Sequence, residues 1–227
     1  IPADVAYLNC AYMGALPAGA VEAGTSALRA KAHPWEVIAD DFFAPVTELR
    51  PKLASVLDGD ADGIALTSSV SYGVAVAAHN LPVRSGEQIV VLAEQFPSNV
   101  YAWRELARRN GAQVVVVERP SDHDWTAAID RSVSDRTAIV AVPACHWTDG
   151  TVVDLEAVGR QARRVGAALV VDVCQAAGAV PIDVGRIEPD FVVGAVYKWL
   201  LGPYSLGYLW AARRHRDGEP IEFNWIT

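Results

Sequence analysis

Residues 169–202 read LVVDVCQAAGAVPIDVGRIEPDFVVGAVYKWLLG, and the interpretation of the whole chain starts from this stretch. The apolar run 169–171 ends in Asp172, and a second apolar run, 191–196, comes just before Lys198. Short runs rich in β-branched residues are typical of fully buried strands. The sequence therefore predicts a carboxylate at the end of one buried strand and a lysine just past the end of another, 26 residues further along the chain.

This pairing of a carboxylate and a lysine needs a reason, because buried charges are costly unless they are paired or bound to a ligand. Pyridoxal phosphate (PLP) requires both groups. A lysine amine forms a Schiff base with it, and an acid keeps its ring nitrogen protonated so that the ring can accept electrons. Gln175 is placed to hydrogen-bond the 3-oxygen of that ring. Asp172 alone could be a helix N-cap, and Lys198 alone could be a surface side chain. The occurrence of these residues together, in this order along the chain, favours a PLP site.

The order D-x-x-Q-x-x-G, then D-F, then K-W-x-x-G-P with a later glycine resembles the lysine region of the class V aminotransferase group of fold-type-I PLP enzymes. Cysteine desulfurases, selenocysteine lyases, kynureninases and isopenicillin N epimerases belong to this group. The resemblance implies that Lys198 carries the cofactor and moves protons, and that Asp172 holds the ring nitrogen. It also implies a small-molecule amino-acid substrate and a homodimer whose sites form at the subunit boundary.

A hydroxyl-rich turn follows the apolar run that begins at Ile64, and a helical pattern starts after the turn. A helix N-terminus presents unpaired N–H groups and the positive end of the helix dipole, so it can bind an anion. Ordinary N-capping by Ser or Thr is the structural alternative. The resemblance assigns the cofactor phosphate to Ser68, Ser69 and the backbone of Val70.

Phe96 follows the buried run 89–92 and matches the position at which the resembling enzymes stack an aromatic ring on the cofactor. Cysteine desulfurases commonly have a histidine there, so phenylalanine favours the kynureninase or epimerase branches. Tyr197 matches a position whose hydroxyl reaches the phosphate in kynureninase-like members.

The loop after the predicted strand 137–142 contains His146 and Thr148. Ligands bind at the carboxyl ends of strands in open α/β sheets. The resembling enzymes have a Ser-Asn or similar pair in this loop, near the cofactor and the substrate. His146 is therefore a candidate base, since its ordinary pKa suits proton transfer near neutrality, and Thr148 is a candidate cofactor contact. The alternative is that His146 only caps the loop.

Strand-like and helical segments alternate along the chain, which predicts an α/β fold with a mostly parallel sheet and helices on both faces. By resemblance this is the large PLP-binding domain of fold-type-I enzymes, over residues 21–227. Residues 1–20 are expected to begin with a strand at 5–8 and to border the active site. The resembling enzymes are longer, and we expect their small C-terminal domain to be absent from this chain.

Composition narrows the class of protein. The chain has 227 residues and a net charge of −8 without a basic stripe, which argues against nucleic-acid binding. No apolar run approaches the length of a membrane span. The three cysteines are an odd number without metal-ligand spacing, so we expect no metal site and reduced thiols in the cytoplasm. Neither glycine-rich phosphate-loop motif of nucleotide-binding domains is present in the sequence.

The sequence therefore predicts a PLP-dependent enzyme acting on an amino acid, with aminotransferase, kynureninase-like or epimerase-like chemistry. A lyase of the cysteine desulfurase or selenocysteine lyase type is an alternative. A relative that binds PLP without turnover is another.

Overall fold

The structure is a computed structural model that describes residues 1–223, so the last four residues of the predicted domain 21–227 lie outside the described part. Its strands form one seven-stranded sheet in the order β1-β7-β6-β5-β4-β2-β3. The strands are β1 (Ile64–Thr67), β2 (Gln88–Leu92), β3 (Gln113–Val117), β4 (Thr137–Pro143), β5 (Ala168–Asp172), β6 (Phe191–Ala195) and β7 (Gly207–Ala211).

Every strand of the sheet runs in one direction except β7, which is antiparallel to both of its neighbours, β1 and β6. The prediction of a mostly parallel sheet is confirmed. It follows that β1, β2, β4, β5 and β6 all end at the same edge of the sheet.

Helices cover both faces of the sheet, as predicted. The helices of the described residues are α1 (Ala18–Lys31), α2 (Ala44–Val56), α3 (Val70–Asn80), α4 (Tyr101–Asn110), α5 (Trp125–Ser132), α6 (Leu155–Val165) and α7 (Val184–Ile187), and all but α1 pack on the sheet. Side chains of α2, α5, α6 and α7 belong to the hydrophobic cluster on one face, and those of α3 and α4 to the cluster on the other. Every residue of β2 and β6 is buried, because apolar side chains on a strand covered by helices on both faces alternate between two cores.

Helix α3 lies close against β6 because it carries a glycine at the contact. A Cβ added at Gly73 would lie 2.9 Å from Cγ1 of Val193. The neighbouring Val74 and Ala77 are fully buried. This close approach fixes the start of α3 relative to the end of β6.

Asp190 of the D-F motif directly precedes β6. It therefore lies at the edge of the sheet where β5 and β6 begin, opposite the edge where they end. Its backbone N–H donates to the Leu169 carbonyl at 2.8 Å, and its carboxylate accepts from the Leu169 N–H at 2.8 Å. The same carboxylate binds Arg214 at 2.8 Å and His215. This half of the motif joins the starts of β5 and β6 to the turn after β7, and its role is structural.

The expected strand at 5–8 is wrong, because these residues form no strand and are exposed. Helix α1 buries none of its residues. The backbone of the N-terminal segment nevertheless reaches the sheet, where Gly14 N–H donates to the Tyr197 carbonyl at 2.8 Å. Among residues 1–223 no helix is long and apolar enough to cross a bilayer.

Candidate active site

A cavity of about 240 Å³ opens at the edge where β1, β2, β4, β5 and β6 end. Ligands bind at this edge in open α/β sheets, because loops from neighbouring strands converge there. The residues lining the cavity are Ser68, Ser69, Val70, Ser71, Gln95, Phe96, Ser98, Pro143, Cys145, Trp147, Asp172, Cys174, Gln175, Ala195, Tyr197, Lys198, Tyr204, Ser205 and Leu206.

Lys198 and Asp172 are both buried in the wall of this cavity, with exposed fractions of 7% and 6%. Asp172 is the last residue of β5, and Lys198 follows β6 by three residues. Because β5 and β6 are parallel neighbours, the two charged groups meet at one edge. Both side chains face the cavity, and no ion pair joins them among the described residues.

The Asp172 carboxyl is held by a hydrogen bond to the backbone two residues further along the chain. One carboxylate oxygen accepts from the Cys174 N–H at 2.9 Å. Burial raises the pKa of Asp172 above its ordinary value, and the Cys174 hydrogen bonds and the positive charge of Lys198 act in the opposite direction. Burial also raises the pKa of the Cys174 thiol well above its usual value, so this cysteine is a protonated thiol near neutral pH.

The amide of Gln175 is fixed on both sides. Its Nε2 donates to the Ala11 carbonyl at 3.0 Å, and its Oε1 accepts from Trp199 Nε1 at 2.9 Å. An amide nitrogen carries two hydrogens, so one donor remains for a ligand in the cavity. The contact with Ala11 also places part of the segment 1–20 beside the site.

The start of α3 provides hydroxyl and backbone donors on another side of the cavity. Ser69 is the N-cap, and its Oγ accepts from the Tyr72 N–H at 3.1 Å. Ser71 Oγ donates to Ser98 Oγ at 3.0 Å, which joins the first turn of α3 to the segment after β2. The first N–H groups of a helix have no carbonyl partner within the helix, so this turn can bind an anion.

Aromatic rings surround the lysine. Lys198 Nζ lies 5.3 Å from the centroid of the Phe96 ring and 5.8 Å from that of Tyr197. The Phe96 ring meets Trp147 edge-on at 5.6 Å, and the Tyr197 ring lies 4.8 Å from Tyr204. Phe96 is 39% exposed, so one side of its ring is available to a planar ligand.

His146 and Thr148 are not among the residues that line the cavity. The His146 ring is fully buried and stacks on Trp125 with centroids 4.8 Å apart. Its Nε2 lies 3.1 Å from the Ala93 carbonyl oxygen, and its Nδ1 lies 2.9 Å from Thr148 Oγ1. A carbonyl only accepts, so Nε2 carries a hydrogen and Nδ1 accepts from the threonine hydroxyl. Both ring nitrogens are engaged in the fold, which favours the alternative that His146 holds the loop.

Arg119 connects the loops that follow β2, β3 and β4. Its guanidinium donates to Glu94 at 2.7 Å, and also to Thr148 and Asp149. The Arg119 hydrogen bond lowers the pKa of Glu94. Burial opposes the ionisation of Asp149, but hydrogen bonds from Thr151 and Arg119 outweigh it and lower the pKa of Asp149 to about 2. Trp147 Nε1 donates to the Glu94 carbonyl at 2.7 Å. The Arg119 network therefore holds the loops that carry Phe96 and Trp147.

Eight of the ten predicted site residues lie together around the cavity, and His146 and Thr148 do not. Gln95, Ser71, Ser98 and Tyr204 also line the cavity, although no motif singled them out. The sequence could have indicated Ser98, because it follows a buried strand that ends at the same edge of the sheet as the strand of Asp172. It could also have indicated Tyr204, which directly follows the K-W-x-x-G-P motif.

Comparisons with known proteins agree with this geometry. An isopenicillin N epimerase from Streptomyces clavuligerus is 30% identical over 97% of this chain and 57% of its own length. A probable cysteine desulfurase from Methanothermobacter thermautotrophicus is 32% identical over 73% of this chain and 41% of its own length. The chain thus spans about half the length of the curated relatives that it matches.

A solved structure of a C-DES mutant, with glycine covalently linked to the PLP cofactor, has the same fold with a TM-score of 0.83. It is 24% identical, and the match covers 94% of this chain and 58% of that one. The sequence profile described as "Aminotransferase class-V" matches residues 30–223. The chain therefore belongs to the class V aminotransferase family.

Proposed function

We propose that this chain binds PLP at the cavity and that the protein acts on an amino acid. The observation that carries the proposal is the meeting of a buried lysine and a buried carboxylate in one cavity, with an aromatic ring 5.3 Å from the lysine nitrogen. When bound, PLP supplies an electron sink that stabilises negative charge at the substrate Cα.

The residues of the cavity fit this cofactor. The Lys198 amine would hold it covalently, and the Asp172 carboxylate would hold a proton at its ring nitrogen. A cationic nitrogen beside Asp172 would offset the cost of burying that carboxylate. Ser68, Ser69, the N–H of Val70 and the Tyr197 hydroxyl would hold the phosphate.

Two further residues would orient the ring. Phe96 would stack on it, a contact worth about 0.5–1.5 kcal/mol beyond the burial of area. The remaining N–H of Gln175 would donate to the 3-oxygen. Once a substrate amine has replaced the lysine, the free Lys198 amine would move a proton at the substrate Cα.

The proposed reaction is of the aminotransferase, kynureninase or epimerase type. Phe96 supports this choice, since phenylalanine cannot transfer protons as the histidine common in desulfurases can. Desulfurase-type chemistry is the second candidate, and the observation in its favour is the similarity to the probable cysteine desulfurase.

We also propose a cytoplasmic homodimer that binds neither nucleic acid nor membrane. Apolar side chains exposed on residues 1–35 support dimerisation, since Leu8, Leu28 and Trp35 are 89%, 78% and 75% exposed. Sedimentation of the whole protein checks the dimer, and a monomer at micromolar concentration contradicts it.

The experiment is a titration of the whole protein with PLP, followed by addition of amino acids. We expect a visible absorption band that borohydride abolishes, and a change in that band with a substrate. Alanine formed from L-cysteine, with the sulfur released as sulfide by an added thiol reductant, would establish the desulfurase alternative. Turnover only with an α-keto acid would establish transamination. A band that no amino acid changes would support a non-catalytic relative, and absence of any band contradicts the proposal.

A further inference from the structure

Gln95 is a buried side chain with a fixed orientation at the cavity. It precedes Phe96 in the segment after β2, is 8% exposed and lines the cavity. Its Oε1 accepts from the Phe96 N–H at 2.8 Å. A backbone N–H can only donate, so the atom that faces it must be the amide oxygen. The opposite atom of the amide is therefore Nε2.

The Nε2 of Gln95 is buried and has no hydrogen-bond partner among the described residues. A buried donor without an acceptor is costly, and native proteins rarely leave one unless a ligand or a water completes it. The segment beyond Gln95 contains Ser98, whose hydroxyl accepts from Ser71 on the first turn of α3. The unpartnered donor and the Ser98 hydroxyl thus belong to the same segment, and both residues line the cavity.

We propose, on the basis of the proposed function, that Gln95 is a ligand-binding residue. Its Nε2 donates a hydrogen bond to an anionic oxygen of the molecule that occupies the cavity. Two groups offer such an oxygen, the cofactor phosphate and the substrate carboxylate. The hydrogen bond to Phe96 N–H holds the donor in place and couples it to the ring that stacks on the cofactor.

The key variant is Gln95→Glu, because it keeps the oxygen that accepts from Phe96 N–H and replaces only the donor. Gln95→Met has a similar volume and removes both functions. Gln161→Glu is the matched control, since Gln161 is 9% exposed, lies on α6 outside the cavity lining, and donates to the Asp130 carbonyl. Circular dichroism and the urea midpoint of each variant establish that it is folded.

The measurement is the Kd of the whole protein for PLP and for pyridoxal, which lacks the phosphate, together with the KM for an amino acid substrate. If Gln95 binds the phosphate, Gln95→Glu weakens PLP binding at least tenfold and leaves pyridoxal binding within twofold. If it binds the carboxylate, the KM rises at least tenfold while the Kd for PLP is unchanged. We expect Gln161→Glu to change neither constant.

Gln95→Glu with wild-type Kd and KM overturns the inference while the proposed function stands. Equal weakening of PLP and pyridoxal also overturns it, because the residue then acts through Phe96 and not on an anionic oxygen. A wild-type protein that forms no band with PLP overturns both proposals together.

Discussion

Replacement of His146 by alanine tests whether this residue supports the fold or the chemistry. The ring is fully buried, stacks on Trp125 and bonds to Ala93 and Thr148. The lost stacking contributes about 0.5–1.5 kcal/mol, and the lost hydrogen bond to a buried carbonyl about 1 kcal/mol. With the cavity that forms, we expect His146→Ala to lower the free energy of unfolding by about 2–4 kcal/mol.

The assay is urea unfolding followed by tryptophan fluorescence, with the midpoint and slope compared to those of wild type. His79→Ala is the control, because His79 is exposed on α3 and we expect its loss to change stability by no more than about 0.5 kcal/mol. His146→Phe keeps a ring against Trp125, and the pH profile of its turnover should keep the wild-type shape. Unchanged stability in His146→Ala, or loss of the acidic limb of the profile in His146→Phe, would refute the structural role.

Three further substitutions test the residues and contacts that position the site. Burial raises the pKa of Asp172, so in the cofactor-free chain the contribution of this group to the free energy of unfolding is fully present below the ordinary carboxyl pKa and is lost as pH rises through the raised value. Asp172→Asn should remove that part of the dependence, and equal pH slopes of the unfolding free energy in both proteins contradict the reasoning. Gly73→Ala places a Cβ 2.9 Å from Val193 and should cost about 1–3 kcal/mol. Gly24→Ala is the control, because a Cβ there on exposed α1 meets nothing within 4 Å, and it should stabilise the protein by about 0.5–1 kcal/mol. If urea unfolding shows that Gly73→Ala stabilises the protein as Gly24→Ala does, the close packing of α3 on β6 is contradicted. In Arg119→Lys, the lysine cannot bind the three acceptors that the planar guanidinium binds. We therefore expect faster amide hydrogen exchange in residues 145–151, and unchanged exchange rates would contradict the proposed role of Arg119.

The sheet was predictable because its strands are buried on both faces. Runs such as 89–92 and 191–195 are apolar throughout, and turn or helix signals bound them on each side. The failure at 5–8 has a physical reason, because a short apolar run forms a strand only if a sheet edge is available to pair with it.

The site was predictable where a residue's position depends on strand ends. Asp172, Lys198 and Phe96 each follow a buried strand closely, so a parallel sheet brings them together. His146 also follows a strand, but the sequence does not specify which way a loop side chain turns. Trp125 and the Ala93 carbonyl draw the His146 ring into the core, and both are distant in the sequence. Gln95 follows the same buried strand as Ser98, but the sequence does not show that its amide nitrogen is unpartnered among the described residues, because that depends on the atoms around it.

The most direct test of the central claim is to locate the attached cofactor after borohydride reduction. The chain has only three lysines, and Lys31 and Lys52 are exposed while Lys198 is buried in the cavity. Peptide mass spectrometry of the reduced protein should find the phosphopyridoxyl group on Lys198, and Lys198→Ala should show neither the group nor the visible band. Label on Lys31 or Lys52 at the same level as on Lys198, or an unchanged band in Lys198→Ala, would contradict the assignment of this cavity as a PLP site.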